Sequence, residues 1–124
     1  MAFSVSRAAC LCAFVMALFS APAAFAHAHL KAQIPAADST VERAPQSLSL
    51  RFSEGIEPAF SGVKITGPEG KAVSTGKVAR DANDDRLLVV PLTQTLAPGD
   101  YQVEWHVVSV DSHKTKGQYR FTVK

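Results

Sequence analysis

The stretch Leu96-Ala97-Pro98-Gly99-Asp100-Tyr101-Gln102-Val103-Glu104-Trp105-His106-Val107-Val108 decides the fold. From Tyr101 onward its side chains alternate. Tyr101, Val103, Trp105 and Val107 share one face, while Gln102, Glu104, His106 and Val108 share the other, as in a strand with one side buried. Pro98-Gly99 sets a turn just ahead of it. A Tyr that opens a strand after such a turn suits a tyrosine corner, its phenol reaching back to the preceding loop; an ordinary core Tyr reads the same way. Trp105 lies between two valines on the apolar face, so it is expected as the central core aromatic and not as a ligand.

Working outward, Leu48, Leu50 and Phe52 alternate with Ser47, Ser49 and Arg51. Val63 and Ile65 alternate with Lys64 and Thr66 before the turn Gly67-Pro68-Glu69-Gly70. Leu87 to Leu92 is a short apolar strand, and Tyr119, Phe121 and Val123 alternate with polar neighbours at the end of the chain. A further strand is expected near His29–Gln33 and a weaker one near Ala72–Ala79. No segment has a helical apolar period, and no internal repeat is present. About seven short strands in roughly a hundred residues predict an all-β, immunoglobulin-like Greek-key β-sandwich.

The first 26 residues read differently. Arg7 is their only charge, and Ala8 to Phe19 is an apolar run too short for a comfortable membrane span. Small-residue patterns follow at Ala21-Pro22-Ala23, Ala24-Phe25-Ala26 and Ala26-His27-Ala28, with no stop-transfer pattern behind them. Residues 1–26 are therefore expected to be a cleaved secretory signal peptide, with 27–124 as one mature domain. The second pattern would leave His27 first. The remaining 98 residues carry 12 basic and 11 acidic side chains, all four histidines, and neither Cys nor Met. Disulfides, thiolate sites and thioether sites are thereby excluded from the mature chain. A charge this balanced gives no case for nucleic acid, and the length leaves no room for a dinucleotide fold with a substrate domain.

Two places carry chemistry. The first is His27-Ala28-His29-Leu30. An N-terminal His offers its α-amine and ring nitrogen within one residue, and an α-amine with a pKa of roughly 7.7–8.0 is available to a metal near neutrality. The second is Ser109-Val110-Asp111-Ser112-His113, where an extended backbone would point Asp111 and His113 to the same side. Together these donors make an N₃O set suited to Cu(II) or Zn(II) and not to Cu(I). A competing mode wraps the ion through the amine, two backbone amides and His29 alone. Both segments also have ordinary readings as solvated histidines and an Asp-containing turn. His106 is expected at the surface. Glu54, in the loop after Phe52, is a candidate to orient a ligating imidazole. Lys114 and Lys116 are solubilising charges or steer an acidic partner.

His27-Ala28-His29-Leu30, Phe52-Ser53-Glu54-Gly55, Phe60-Ser61-Gly62, Pro98-Gly99-Asp100-Tyr101 and the block from Trp105 to Gly117 together resemble the CopC family of periplasmic copper-binding proteins, its YobA-type members most of all. The resemblance covers essentially the whole of 27–124. It implies a β-sandwich in the periplasm holding one Cu(II) per chain through His27 (amine and imidazole), Asp111 and His113, with Glu54 near that site and His29 a possible outer contact. Some members add a Met-rich Cu(I) loop, which a mature chain without Met lacks. The family often works beside a CopD-type inner-membrane copper protein; here that partner would be a separate chain, the mature domain itself not being inserted in the membrane. The implied role is that of a copper carrier or buffer in copper homeostasis and resistance, not an enzyme. The alternative is a copper-dependent oxidase or monooxygenase built on the same histidine brace. Against it stand the six mature aromatics, most of them needed for the core, and an Asp111 that would fill the position oxygen activation wants open.

Overall fold

A computed structural model describes residues 27–124. The signal peptide expected over 1–26, and with it the cleavage position, lies outside the described residues. Eight strands follow in chain order: β1 (Leu30–Ile34), β2 (Ser39–Val41), β3 (Ser47–Phe52), β4 (Gly62–Thr66), β5 (Ala79–Asp81), β6 (Asp84–Pro91), β7 (Gly99–Val108) and β8 (Lys114–Val123). They form two four-stranded sheets, ordered β1-β3-β6-β5 and β2-β8-β7-β4. All pairings are antiparallel except β2 with β8. Short 3-10 turns at Pro58–Phe60 and Pro68–Gly70 are the only helical pieces among the described residues.

The alternation read from the sequence is the alternation of burial. Leu48, Leu50 and Phe52 face inward from β3, and Tyr101, Val103, Trp105 and Val107 face inward from β7. Phe52 and Trp105 meet edge to face across the sandwich, with ring centroids 5.1 Å apart. Each such side chain removed from water contributes about 1.5–3 kcal/mol, and the aromatic pair adds about 1 kcal/mol more. With no disulfide available in 27–124, this packing holds the two sheets together.

Two local features fix how β7 sits. The Tyr101 hydroxyl donates to the Ala97 carbonyl at 2.6 Å, the tyrosine corner that the Pro98-Gly99 turn suggested. On the facing strand, Gly117 pairs with Trp105. A Cβ there would lie 2.5 Å from the indole ring, so only glycine lets the indole lie across β8.

The expectation differs from the structure at two points. β2 was not foreseen; it is three residues long and gains its place by parallel pairing with β8. The weak strand expected near Ala72–Ala79 is replaced by isolated bridges at Ala72 and Thr75, with regular pairing beginning only at Ala79. Ala72 bridges to Thr66 at the end of β4 in one sheet and Thr75 to Leu92 just past β6 in the other, so the segment crosses between the sheets and forms no continuous ladder with either.

Candidate metal centre

The two chemical segments come together at one end of the sandwich, across the seam between the sheets. The N-terminal one is held by four hydrogen bonds, one of them from the Ser53 N–H to the His29 carbonyl at 2.9 Å. The His27 carbonyl accepts from the Ser53 hydroxyl at 3.2 Å, and the same hydroxyl accepts from the His29 N–H at 2.9 Å. Between them Ala28 is buried, 1% exposed, and its carbonyl accepts from the Thr115 hydroxyl at 2.9 Å. Ser53 follows β3 in one sheet and Thr115 belongs to β8 in the other, so the backbone of residues 27–29 is tied to both sheets at once.

The second segment is the connection from β7 to β8. Its ends close through Ser109 N–H to His113 O at 2.9 Å and Ser112 N–H to Ser109 O at 2.8 Å. Ser112 takes a left-handed conformation, φ 71°. The premise of an extended backbone is thus corrected: Asp111 and His113 meet because the chain turns. Asp111 Oδ2 lies 3.0 Å from His113 Nδ1, and Asp111 Oδ1 accepts from the Ser109 hydroxyl. Ser109 is 1% exposed, the one buried polar residue among those described. Its hydroxyl foremost, and the His113 ring next, hold the Asp111 carboxyl below its ordinary value of 3.8.

His27 and His113 face each other, ring centroids 5.0 Å apart and planes at 69°. A ring bonded to a metal through nitrogen has its centroid about 3 Å from the ion, so two rings sharing an ion lie within about 6 Å of each other. The pair fits that limit. Asp111 Oδ2 and His113 Nδ1, 3.0 Å apart, set a carboxylate and an imidazole side by side, and that imidazole is the one facing His27. Among the described residues no three His, Cys, Asp or Glu side chains converge into a ready-made metal cage. In the full chain the His27 nitrogen is bonded to Ala26, and it becomes an amine donor only if the chain is cut there.

The remaining candidates fall around this pair. The His29 side chain is exposed, and its backbone is paired with Ser53. Glu54 is half-buried beside Ser53 and makes no side-chain hydrogen bond with an imidazole among the described residues. His106 is exposed on the outer face of β7, as expected. Three residues that matter here were not singled out from the sequence: Ser53, Ser109 and Thr115. The Ser53 and Thr115 hydroxyls act across long stretches of chain that no local pattern marks, while Ser109 acts within its own turn, two residues from Asp111.

A sandwich without sulfur in its described residues, bearing two facing histidines, one just ahead of β1 and one in the β7–β8 turn, defines a class of protein. The family model of the CopC domain matches residues 30–124, and the chain belongs to this family. It is 54% identical over 103 residues to YobA of Escherichia coli strain K12, covering 83% of each chain. The crystal structure of CopC from Methylosinus trichosporium OB3b superposes with a TM-score of 0.73 at 37% identity, covering 79% of this chain and 94% of that one. That of PcoC, a methionine-rich copper resistance protein from Escherichia coli, gives a TM-score of 0.71 at 39% identity, covering 80% of this chain and all of that one, 100%. Residues 27–124 here contain no methionine at all.

Proposed function

We propose that this chain is a periplasmic copper-binding protein that carries or buffers a single Cu(II), held by the His27 amine and ring, the His113 ring and the Asp111 carboxylate after cleavage behind Ala26. The observation that carries the reading is the facing pair His27 and His113, brought to 5.0 Å by a segment tied to both sheets. Membership of the CopC family, with relatives that are copper resistance proteins, supports copper as the ion. Nitrogen and oxygen donors without sulfur favour Cu(II) over Cu(I). In the metal-free chain the Asp111 carboxylate rests on His113 and Ser109, which keeps it ionised and next to the site.

The hydrogen bonding of His29 favours the brace over the local wrap. A wrap needs the backbone nitrogens of residues 28 and 29 deprotonated, and the His29 N–H is already given to Ser53. The role is one of binding and not of turnover, with the fourth donor position taken by Asp111. A membrane-bound copper protein of the CopD type is the partner this reading suggests.

The test is a Cu(II) titration of the 27–124 chain, purified after export, against a competing chelator. One equivalent is expected to bind, and His113→Ala is expected to lower affinity at least a hundredfold. A stoichiometry of zero, or an unchanged constant in His113→Ala, overturns the proposal.

A further inference from the structure

We propose that the outer face of β7 and β8 beside His113 is a docking surface for a protein segment that presents Asp or Glu side chains around one apolar side chain. A groove of about 460 Å³ runs there between Phe60, His106, Val108, Lys114 and Lys116. The register places the rows side by side: Val108 opposite Lys114, and His106 opposite Lys116 and Gly62. The groove begins one residue after His113, in the same strand as the Thr115 that ties down Ala28.

Phe60 is the strongest sign of a partner. It is 69% exposed, although its backbone is rigidly held. The Phe60 N–H donates to Glu57 O at 3.2 Å, and Ser61 locks the turn by donating its hydroxyl to Glu57 O at 2.8 Å while accepting from the Val108 N–H at 3.1 Å. A large ring held outward on a stiff turn loses little entropy when covered, and fixed aromatics beside cations are the usual anchors of interfaces.

Charge complementarity names the occupant. Residues 27–124 carry 12 basic and 11 acidic side chains, nearly neutral overall. Yet the outer face of this sheet holds Lys64, Lys114, Lys116 and Arg120 against Asp100 and Glu104, and Asp100 lies at the end of β7 away from the groove, opposite Thr122. Such asymmetry steers an acidic surface to this side of the molecule. The groove is concave, which suits an inserted side chain and not the flat surface of a lipid bilayer. That the partner gives or takes the copper ion rests on the function proposed above; the docking itself does not.

The test therefore uses the metal-free 27–124 chain. A synthetic peptide, acetyl-Asp-Glu-Phe-Glu-Asp-amide, is titrated while backbone amide resonances are recorded, with acetyl-Lys-Lys-Phe-Lys-Lys-amide and phosphatidylglycerol vesicles as controls. Saturable shifts are expected at Phe60, His106, Val108 and Lys114 to Lys116, weakening with salt. The pair Lys114→Glu with Lys116→Glu is expected to lower affinity at least tenfold, and Phe60→Ala severalfold. Both variants alter exposed side chains, so their spectra also report that the fold is kept. Shifts scattered over all basic residues, equal response to the lysine peptide, or binding to vesicles without binding to the acidic peptide overturns the proposal. Loss of copper binding leaves this outcome unaffected, which separates the two failures.

Discussion

The His27 and His113 rings, drawn from the two ends of the domain, lie 5.0 Å apart at the mouth of the sandwich. Two sheets make that contact. Ser53 fixes residues 27 and 29 from one side, and Thr115 fixes residue 28 from the other. A pair of imidazoles so placed has lost most of its freedom before a ligand arrives, and this preorganisation is what turns two weak donors into a site.

The anchors are accordingly expected to matter without touching the ion. Thr115→Val leaves the Ala28 carbonyl, buried with its residue, without its donor. The loss is about 1–2 kcal/mol. Cu(II) affinity is expected to fall roughly five- to thirtyfold, read by chelator competition, with an unchanged donor count in the paramagnetic resonance spectrum. A changed donor count would assign Thr115 to the ion itself.

Asp111 gives the metal-free fold a pH dependence with a definite sign. Its native pKa is depressed, chiefly by the Ser109 hydroxyl and then by His113. The stabilisation is therefore present above the ordinary value of 3.8 and is lost as pH falls through the lower native value. Melting temperatures of wild type and Asp111→Asn, taken without metal, are expected to differ by a constant amount near neutrality and to converge below that value. Ser109→Ala is expected to shift the convergence upward in pH.

Two tyrosines predict opposite outcomes. Tyr101→Phe breaks the 2.6 Å bond to Ala97 and is expected to cost about 1 kcal/mol of stability. The Tyr119 hydroxyl is buried without a hydrogen-bond partner among the described residues. Tyr119→Phe removes that unsatisfied group, so it is expected to be neutral or stabilising by about 1 kcal/mol. Burial also pushes the Tyr119 phenol above its ordinary value of 10.0. The unfolded chain ionises first, so stability in wild type declines above that pH, and this decline is expected to be smaller in Tyr119→Phe. Denaturant unfolding of both variants from neutral to alkaline pH reads all three effects.

Gly117→Ala places a Cβ 2.5 Å from the Trp105 ring. Overpacking of this kind costs about 1–3 kcal/mol. The near-ultraviolet dichroism of Trp105 is expected to change with it; an unperturbed signal would mean that the indole has room to shift.

Most of the sandwich was legible because one face of each long strand is buried, which writes a two-residue period into the sequence. That holds for β3, β4, β7 and the end of β8. β2 has no such period, since Ser39, Thr40 and Val41 are ordered by their neighbour and not by their own pattern. The histidines and Asp111 were legible as chemistry. How they meet was not, because it depends on the left-handed turn at Ser112 and on hydroxyls from Ser53, Ser109 and Thr115, contacts that span up to 87 positions of chain.

The most direct measurement compares Cu(II) binding and paramagnetic resonance of the 27–124 chain with those of the same chain carrying one glycine before His27. The account predicts three-nitrogen coupling in the first, and in the second an affinity lower by at least a hundredfold with an altered spectrum. Equal affinity and identical spectra in the two proteins would contradict it.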